Sequence, residues 1–213
     1  MRLYLSSFRL GDHPGHLVTL AGDGGRRALV IANALDDQPD TIRRVSTGTE
    51  VRDLGQLGFD AVELDLRGYA GEPEHLRADL AGVALVWLRG GNTFMLRYAL
   101  RLSGADTVLR DLLAGDVLTY GGYSAGCCVL APSLRGLEMV DDAAAVARVY
   151  GSEPVWEGLG LIDEAIVPHY DSDHPEAAAV GLLAQHYREH AIPHRTLRDG
   201  QVLIVNGETV TLV

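Results

Sequence analysis

The chain has 213 residues, 47% of them hydrophobic and 22% charged, at a mean hydropathy of +0.07, which is enough apolar material for a sizeable core and excludes wholesale disorder. Its 18 basic against 29 acidic residues leave a formal charge of -11, without the basic footprint that phosphate neutralisation requires, so nucleic acid is not an expected partner. No apolar run approaches the roughly 20 residues needed to cross a bilayer, so a membrane is not expected either.

The N-terminal stretch MRLYLSSFRLGDHPG is broken by Ser and Arg too early to act as a signal segment, which makes a cytoplasmic location the expectation. Strand-length apolar runs at Arg2–Ser6, Ala28–Ala32, Ala61–Leu64, Val83–Leu88 and Val117–Tyr120 then alternate with helix-period segments near Asp40–Leu57, Pro73–Leu80 and Thr93–Ala114. The last of these is expected to break around Ser103–Gly104. Pro39 and Pro73 suit helix starts, and Gly58 and Gly115 suit helix stops. Further on, a strand at Ala165–Pro168 and a helix at Pro175–His190 precede two terminal strands, Val202–Val205 and Thr209–Val213, which Asn206-Gly207 should join as a hairpin. The alternation predicts an α/β fold with a mainly parallel central sheet, and no linker or repeat divides the chain, so one domain over residues 1–213 is expected.

Between the strand ending at Tyr120 and the next helical segment stands Gly122-Tyr123-Ser124-Ala125-Gly126, a G-x-S-x-G pattern. A sharp strand-to-helix turn there would lift the Ser124 hydroxyl above the sheet, and only small neighbours fit beside such a turn. A second turn, Arg89-Gly90-Gly91-Asn92, also follows a strand and opens a helix. Turns of this kind gather at the carboxyl ends of parallel strands. The N–H of Gly90 or Gly91, with that of Ala125, could then form an oxyanion hole. The second turn lacks the full spacing of a dinucleotide fingerprint and the G-K-[ST] of a P-loop, so nucleotide binding is the lesser option.

Three motifs in this order, G-G-N-T-F at Gly90–Phe94, G-Y-S-A-G at Gly122–Gly126 and P-H-Y at Pro168–Tyr170, resemble those of the dipeptidase E (peptidase E) family of serine peptidases. The resemblance implies a three-layer flavodoxin-like sandwich related to the class I glutamine amidotransferases. Where those have cysteine at the elbow, this chain has Ser124.

A serine needs a base to take its proton. His169 follows a short apolar strand and a proline, and the resemblance selects the same residue. It also implies an acidic residue shortly after the elbow to orient that base. Glu138 fits with a one-residue gap, and Asp141 is the second choice. Asn92, Tyr123 and Tyr170, within these motifs, and Arg135, after the elbow, are the expected substrate-binding residues. His169, Asp171, Asp173 and His174 supply metal-ligand types without a ligand pattern, so no metal and no cofactor are expected. The only cysteines, Cys127 and Cys128, are adjacent, cannot staple the fold, and are expected to pack against the sheet.

The implied reaction is hydrolysis of dipeptides or short peptides through an acyl-enzyme on Ser124. Family members selective for N-terminal aspartate carry an arginine soon after the catalytic histidine. Here that stretch reads His174-Pro175-Glu176-Ala177-Ala178-Ala179-Val180, so strict aspartate selectivity is not expected. Two alternatives stand beside this reading: a cyanophycinase-like hydrolase, whose polycationic substrate the net charge would permit, and a non-catalytic member that binds a small ligand at the elbow. A homo-oligomer is admitted but not required.

Overall fold

The computed structural model describes residues 1–22 and 24–213. In it β1 (Arg2–Ser6) is followed by α1 (Gly15–Ala21), β2 (Arg27–Ile31), α2 (Asp40–Gln56), β3 (Asp60–Glu63), α3 (Pro73–Asp79), β4 (Leu85–Leu88), α4 (Thr93–Leu102), α5 (Ala105–Ala114) and β5 (Thr119–Tyr123). Beyond these come α6 (Ala125–Cys128), α7 (Ala145–Tyr150), β6 (Ala165–Val167), α8 (Ala177–Glu189), β7 (His194–Thr196), β8 (Val202–Asn206) and β9 (Thr209–Leu212).

The first five strands are parallel and belong to a seven-stranded sheet in the order β3-β2-β4-β5-β1-β8-β9, with β8 antiparallel to β1 and β9 antiparallel to β8. Strands of period two covered on both faces need apolar residues at every position. Here Leu3, Leu5, Leu29, Ile31, Val86 and Leu88 join one core cluster with Leu76 of α3, Leu96 of α4 and Leu109 of α5. Their neighbours Tyr4, Ala28, Val30, Leu85 and Trp87 face the other way, against Leu17 of α1 and Leu54 of α2. Burial on both faces of these strands makes the three layers that the resemblance implied, around the mainly parallel sheet that the alternation predicted.

Most boundaries fall within a residue or two of expectation. The long helical segment does break, with Ser103 ending α4 and Gly104 at φ 75 before α5. A Cβ at Gly104 would stand 2.8 Å from Pro73 Cβ at the start of α3. The terminal hairpin turns one residue later than expected: Asn206 pairs with Thr209, which leaves Gly207 and Glu208 as the loop. Three elements were not foreseen. They are α1, α7, and β7, which pairs in parallel with β6 as a separate two-stranded sheet. No helix among the described residues is long and apolar enough to cross a membrane.

Candidate active site

The elbow is built by the close approach of β4 and β5, whose register pairs Leu88 with Gly122. A Cβ on Gly122 would lie 2.7 Å from the Leu88 carbonyl oxygen, and one on Gly126 would collide with the same atom. The glycines are therefore required by the neighbouring strand, and the turn between them holds Ser124 at φ 49, ψ -116. For a non-glycine residue such a backbone is strained, and strain of this kind collects at functional sites. The helix that follows is a single turn, so its dipole is small. Its Cys127 and Cys128 amides return to the Ser124 carbonyl at 2.8 and 3.0 Å, while the first amide, that of Ala125, donates to none of the described turn and cap bonds. Both cysteines are fully enclosed in the core, where burial pushes their thiols well up and keeps them protonated.

The glycine turn touches this elbow. A Cβ on Gly90 would stand 2.9 Å from Ser124 Cβ and 2.8 Å from the Tyr123 ring. The turn is pinned to the short helical turn after β2, because the Asn92 amide donates to Ala34 O at 2.9 Å and Gly91, at φ 142, has no room for a side chain there. Asn92 itself corrects the expectation of substrate binding. Its Oδ1 accepts the Phe94 and Met95 amides at 2.9 and 3.2 Å, so it is the N-cap of α4. Asp141, the second choice for the orienting carboxylate, sits at this same helix start and accepts the Thr93 amide at 2.9 Å. Its carboxyl is enclosed, although the residue as a whole is half-buried, and the burial pushes its pKa up to about 6.

His169 leaves β6 through Pro168 with a left-handed backbone, φ 59, and is 1% exposed. Its Nδ1 lies 2.7 Å from Asp199 Oδ1, which leaves Nε2 as the free ring nitrogen. Ser7, at the end of β1, ties the pair together, since its hydroxyl accepts the His169 amide at 2.8 Å and lies 2.8 Å from Asp199 Oδ1. Burial lowers the His169 pKa and the Asp199 carboxylate only partly offsets this, so the imidazole is neutral at neutral pH. The carboxylate expected at this histidine was Glu138. In the structure Glu138 is exposed and accepts the Gly136 amide at 2.7 Å, and the group on Nδ1 is Asp199. Sequence reasoning missed Asp199 because it stands 30 residues beyond the histidine in an Asp-Gly turn that reads as an ordinary loop.

Ser124, His169, Gly90 and Gly91 line one pocket of about 160 Å³ together with Arg89, His174 and Glu176. The His174 ring stacks on that of His169, centroids 3.7 Å apart and planes at 6°, and Phe8 meets both rings edge-on. His169, His174 and Glu176 offer ligand atoms within 4.8 Å of one another. Imidazole lone pairs lie in the ring plane, however, and two parallel planes this far apart cannot both meet one ion at the ~2 Å that metal bonds require. The donor set does not fit a metal in this arrangement. Of the remaining expected substrate contacts, Tyr123 is among the residues that line the pocket. Tyr170 is half-buried beside the α8 core with its amide on Leu197 O. Arg135 lies over Trp156 at 5.0 Å and borders a different pocket. Neither of the latter two reaches Ser124.

A hydroxyl in a strained turn, a neutral imidazole held by a carboxylate and backbone amides beside the hydroxyl are together the apparatus of acyl transfer. Ser124 Oγ makes no hydrogen bond to the imidazole among the described residues, and such bonds commonly tighten only when substrate binds.

The model of peptidase family S51 matches residues 12–213. An uncharacterised peptidase of Listeria innocua is 27% identical over 164 residues, 73% of this chain and 75% of that protein. An uncharacterised peptidase of Listeria monocytogenes is 29% identical over 120 residues, 56% of this chain and 55% of its own length. Among solved structures, a candidate peptidase E protein from Listeria monocytogenes EGD-e superposes with a TM-score of 0.80 at 21% identity, over 100% of this chain and 97% of that one. A peptidase from an acI-B1 Actinobacterium gives 0.73 at 15% identity, over 100% and 86%. At these identities the two structures establish a shared fold.

Proposed function

Because the chain belongs to peptidase family S51, we propose that it is a serine-type peptidase of short peptides, with Ser124 as nucleophile, His169 as base and Asp199 as the residue that orients the base. Asp199 accepts the Nδ1 proton and leaves Nε2 to take the proton of Ser124 as the hydroxyl attacks the peptide carbonyl. The amides of Ala125 and of the Gly90–Gly91 turn receive the developing oxyanion. Nε2 then returns its proton to the leaving amine, and water clears the acyl-enzyme by the same route.

The observation that carries the proposal is the strained Ser124 turn opening into the same pocket as the buried His169, whose Nδ1 is held by Asp199. At about 160 Å³ that pocket is smaller than the roughly 300–1,000 Å³ of drug-sized sites, which favours a dipeptide over a long chain. Its one lining arginine, Arg89, faces the buried Glu50 carboxylate at 3.6 Å, so it is not a free cation for an aspartate side chain. Turnover of a dipeptide panel by wild type and Ser124→Ala tests the proposal. We expect hydrolysis by wild type alone, with Ala-X and Met-X cleaved at least as well as Asp-X. Equal turnover by Ser124→Ala would overturn the mechanism, and a strong preference for Asp-X would overturn the specificity.

A further inference from the structure

Glu50 is an acidic residue in the wrong place for an ordinary surface helix. It lies on α2 with its side chain 4% exposed, pointing into the sheet beneath the site. Its Oε2 accepts the Trp87 indole N–H at 2.9 Å and its Oε1 accepts the Tyr123 hydroxyl at 2.8 Å. Arg89 approaches the same Oε1 through Nε at 3.6 Å, and that nitrogen is buried with no hydrogen-bond partner among the described residues. A carboxylate removed from water is costly unless donors and a countercharge meet it, and these three partners supply both to Glu50. They come from three points around the site: Trp87 from the middle of β4, Arg89 from the residue before the glycine turn, and Tyr123 from the residue before the nucleophile.

Arg89 then reaches onward. Its Nη1 donates to the carbonyl of Gly90 at 2.6 Å. In a trans peptide the C=O and the following N–H point in opposite directions, so capture of the Gly90 oxygen also sets the direction of the Gly91 N–H. Gly90 and Gly91 have little side-chain bulk to resist a flip of that peptide. Without a bond on its oxygen the peptide would be free to present a carbonyl to the pocket, which would repel an oxyanion.

We infer that Glu50 and Arg89 are positioning residues, a buried brace that fixes the Gly90–Gly91 peptide with its N–H available to the oxyanion and ties that peptide, through Tyr123, to the backbone of Ser124. The inference rests on the proposed serine mechanism for its purpose, but the brace itself is a structural claim that can be examined separately.

The test compares wild type, Arg89→Lys and Glu50→Gln. Lysine keeps a cation near Glu50 but lacks the fork that serves Glu50 and Gly90 O at once, so this variant should fold. On Met-Leu and on Met-Leu amide we expect Arg89→Lys to lower kcat by about 100–1,000-fold, as for loss of one oxyanion donor. KM should stay within about threefold, because an interaction made only in the transition state leaves ground-state binding alone. The loss should be equal on the two substrates. Glu50→Gln should shift kcat in the same direction. Crystal structures of the variants should show the Gly90–Gly91 peptide rotated. Unchanged kcat in Arg89→Lys, or a loss confined to KM for the free-acid Met-Leu, would overturn the inference, the second result making Arg89 a ligand for the substrate carboxylate. If wild type neither hydrolyses these peptides nor reacts at Ser124 with a fluorophosphonate, the serine mechanism falls. The crystal structures then decide the brace alone: a rotated peptide supports it and an unmoved one refutes it.

Discussion

The two halves of the site are made in different ways. The nucleophile half is local. Ser124 and the Gly90–Gly91 turn sit at the carboxyl ends of adjacent parallel strands, held by the packing of glycine against the Leu88 carbonyl. The base half is assembled from afar. His169 follows a two-stranded sheet outside the main one, Asp199 comes from a loop before β8, and Ser7 from the end of β1 joins them. Packing against a backbone atom leaves a sequence signature, because it forbids side chains at fixed spacing. A hydrogen-bond network among polar loop residues leaves none.

The first way to break this comparison is to remove the base. His169→Ala should cut kcat/KM on a cleaved dipeptide by several orders of magnitude, about 10⁴–10⁶, since the members of a catalytic group fail together. A loss smaller than tenfold would leave the base half without a function.

The second prediction separates the observed carboxylate from the expected one. Asp199→Asn should lower kcat by about 10²–10⁴, because the amide stabilises neither the working tautomer nor the imidazolium. Glu138→Gln should stay within about twofold, as this exposed residue accepts one hydrogen bond, from the Gly136 amide, and an amide oxygen can accept it as well. The reverse ranking would restore Glu138 and make the His169–Asp199 contact incidental.

That distinction also measures how much was legible in the sequence. The apolar runs of β2 and β4 announced a parallel sheet, the spacing of Gly122 and Gly126 announced the elbow, and Pro168–Tyr170 marked the proposed base. The third carboxylate did not follow, because nothing in Arg198-Asp199-Gly200 distinguishes it from a turn until the fold brings it to His169. Asn92 and Arg135 failed for a related reason. Each is polar and near a motif, but the first caps α4 and the second stacks on Trp156, and proximity in sequence does not say which way a side chain points.

A third prediction concerns pH. Burial lowers the His169 pKa below its ordinary 6.5, so the imidazole stays neutral, and active as a base, to lower pH than an exposed histidine would. The acid limb of kcat/KM, which reports the free enzyme, should therefore fall below pH 6.5. In Asp199→Asn, which removes the group that raises this pKa, the limb should move lower still. An acid limb above 6.5 in wild type would mean that another group controls it.

The smallest expected effect tests whether the nucleophile half is held by packing without help from charge. Asp141 titrates near 6 in the folded state and in the usual carboxylate range when unfolded, so the native protein binds the extra proton between those values. Its stabilising contribution is present at low pH and lost as pH rises through about 6. Asp141→Asn can still accept the Thr93 amide and should raise stability at pH 8 by on the order of 1–2 kcal/mol while changing little at pH 4. Urea denaturation at the two pH values reads this difference directly. Destabilisation at pH 8 would show that the ionised carboxylate supports the turn.

The central claim, that Ser124 is an activated nucleophile, is tested most directly by exposing the wild-type protein to a fluorophosphonate and mapping the adduct by peptide mass spectrometry. The account predicts one adduct, on the peptide containing Ser124. An adduct on a different residue, or no adduct under conditions in which the protein hydrolyses a dipeptide, would contradict it.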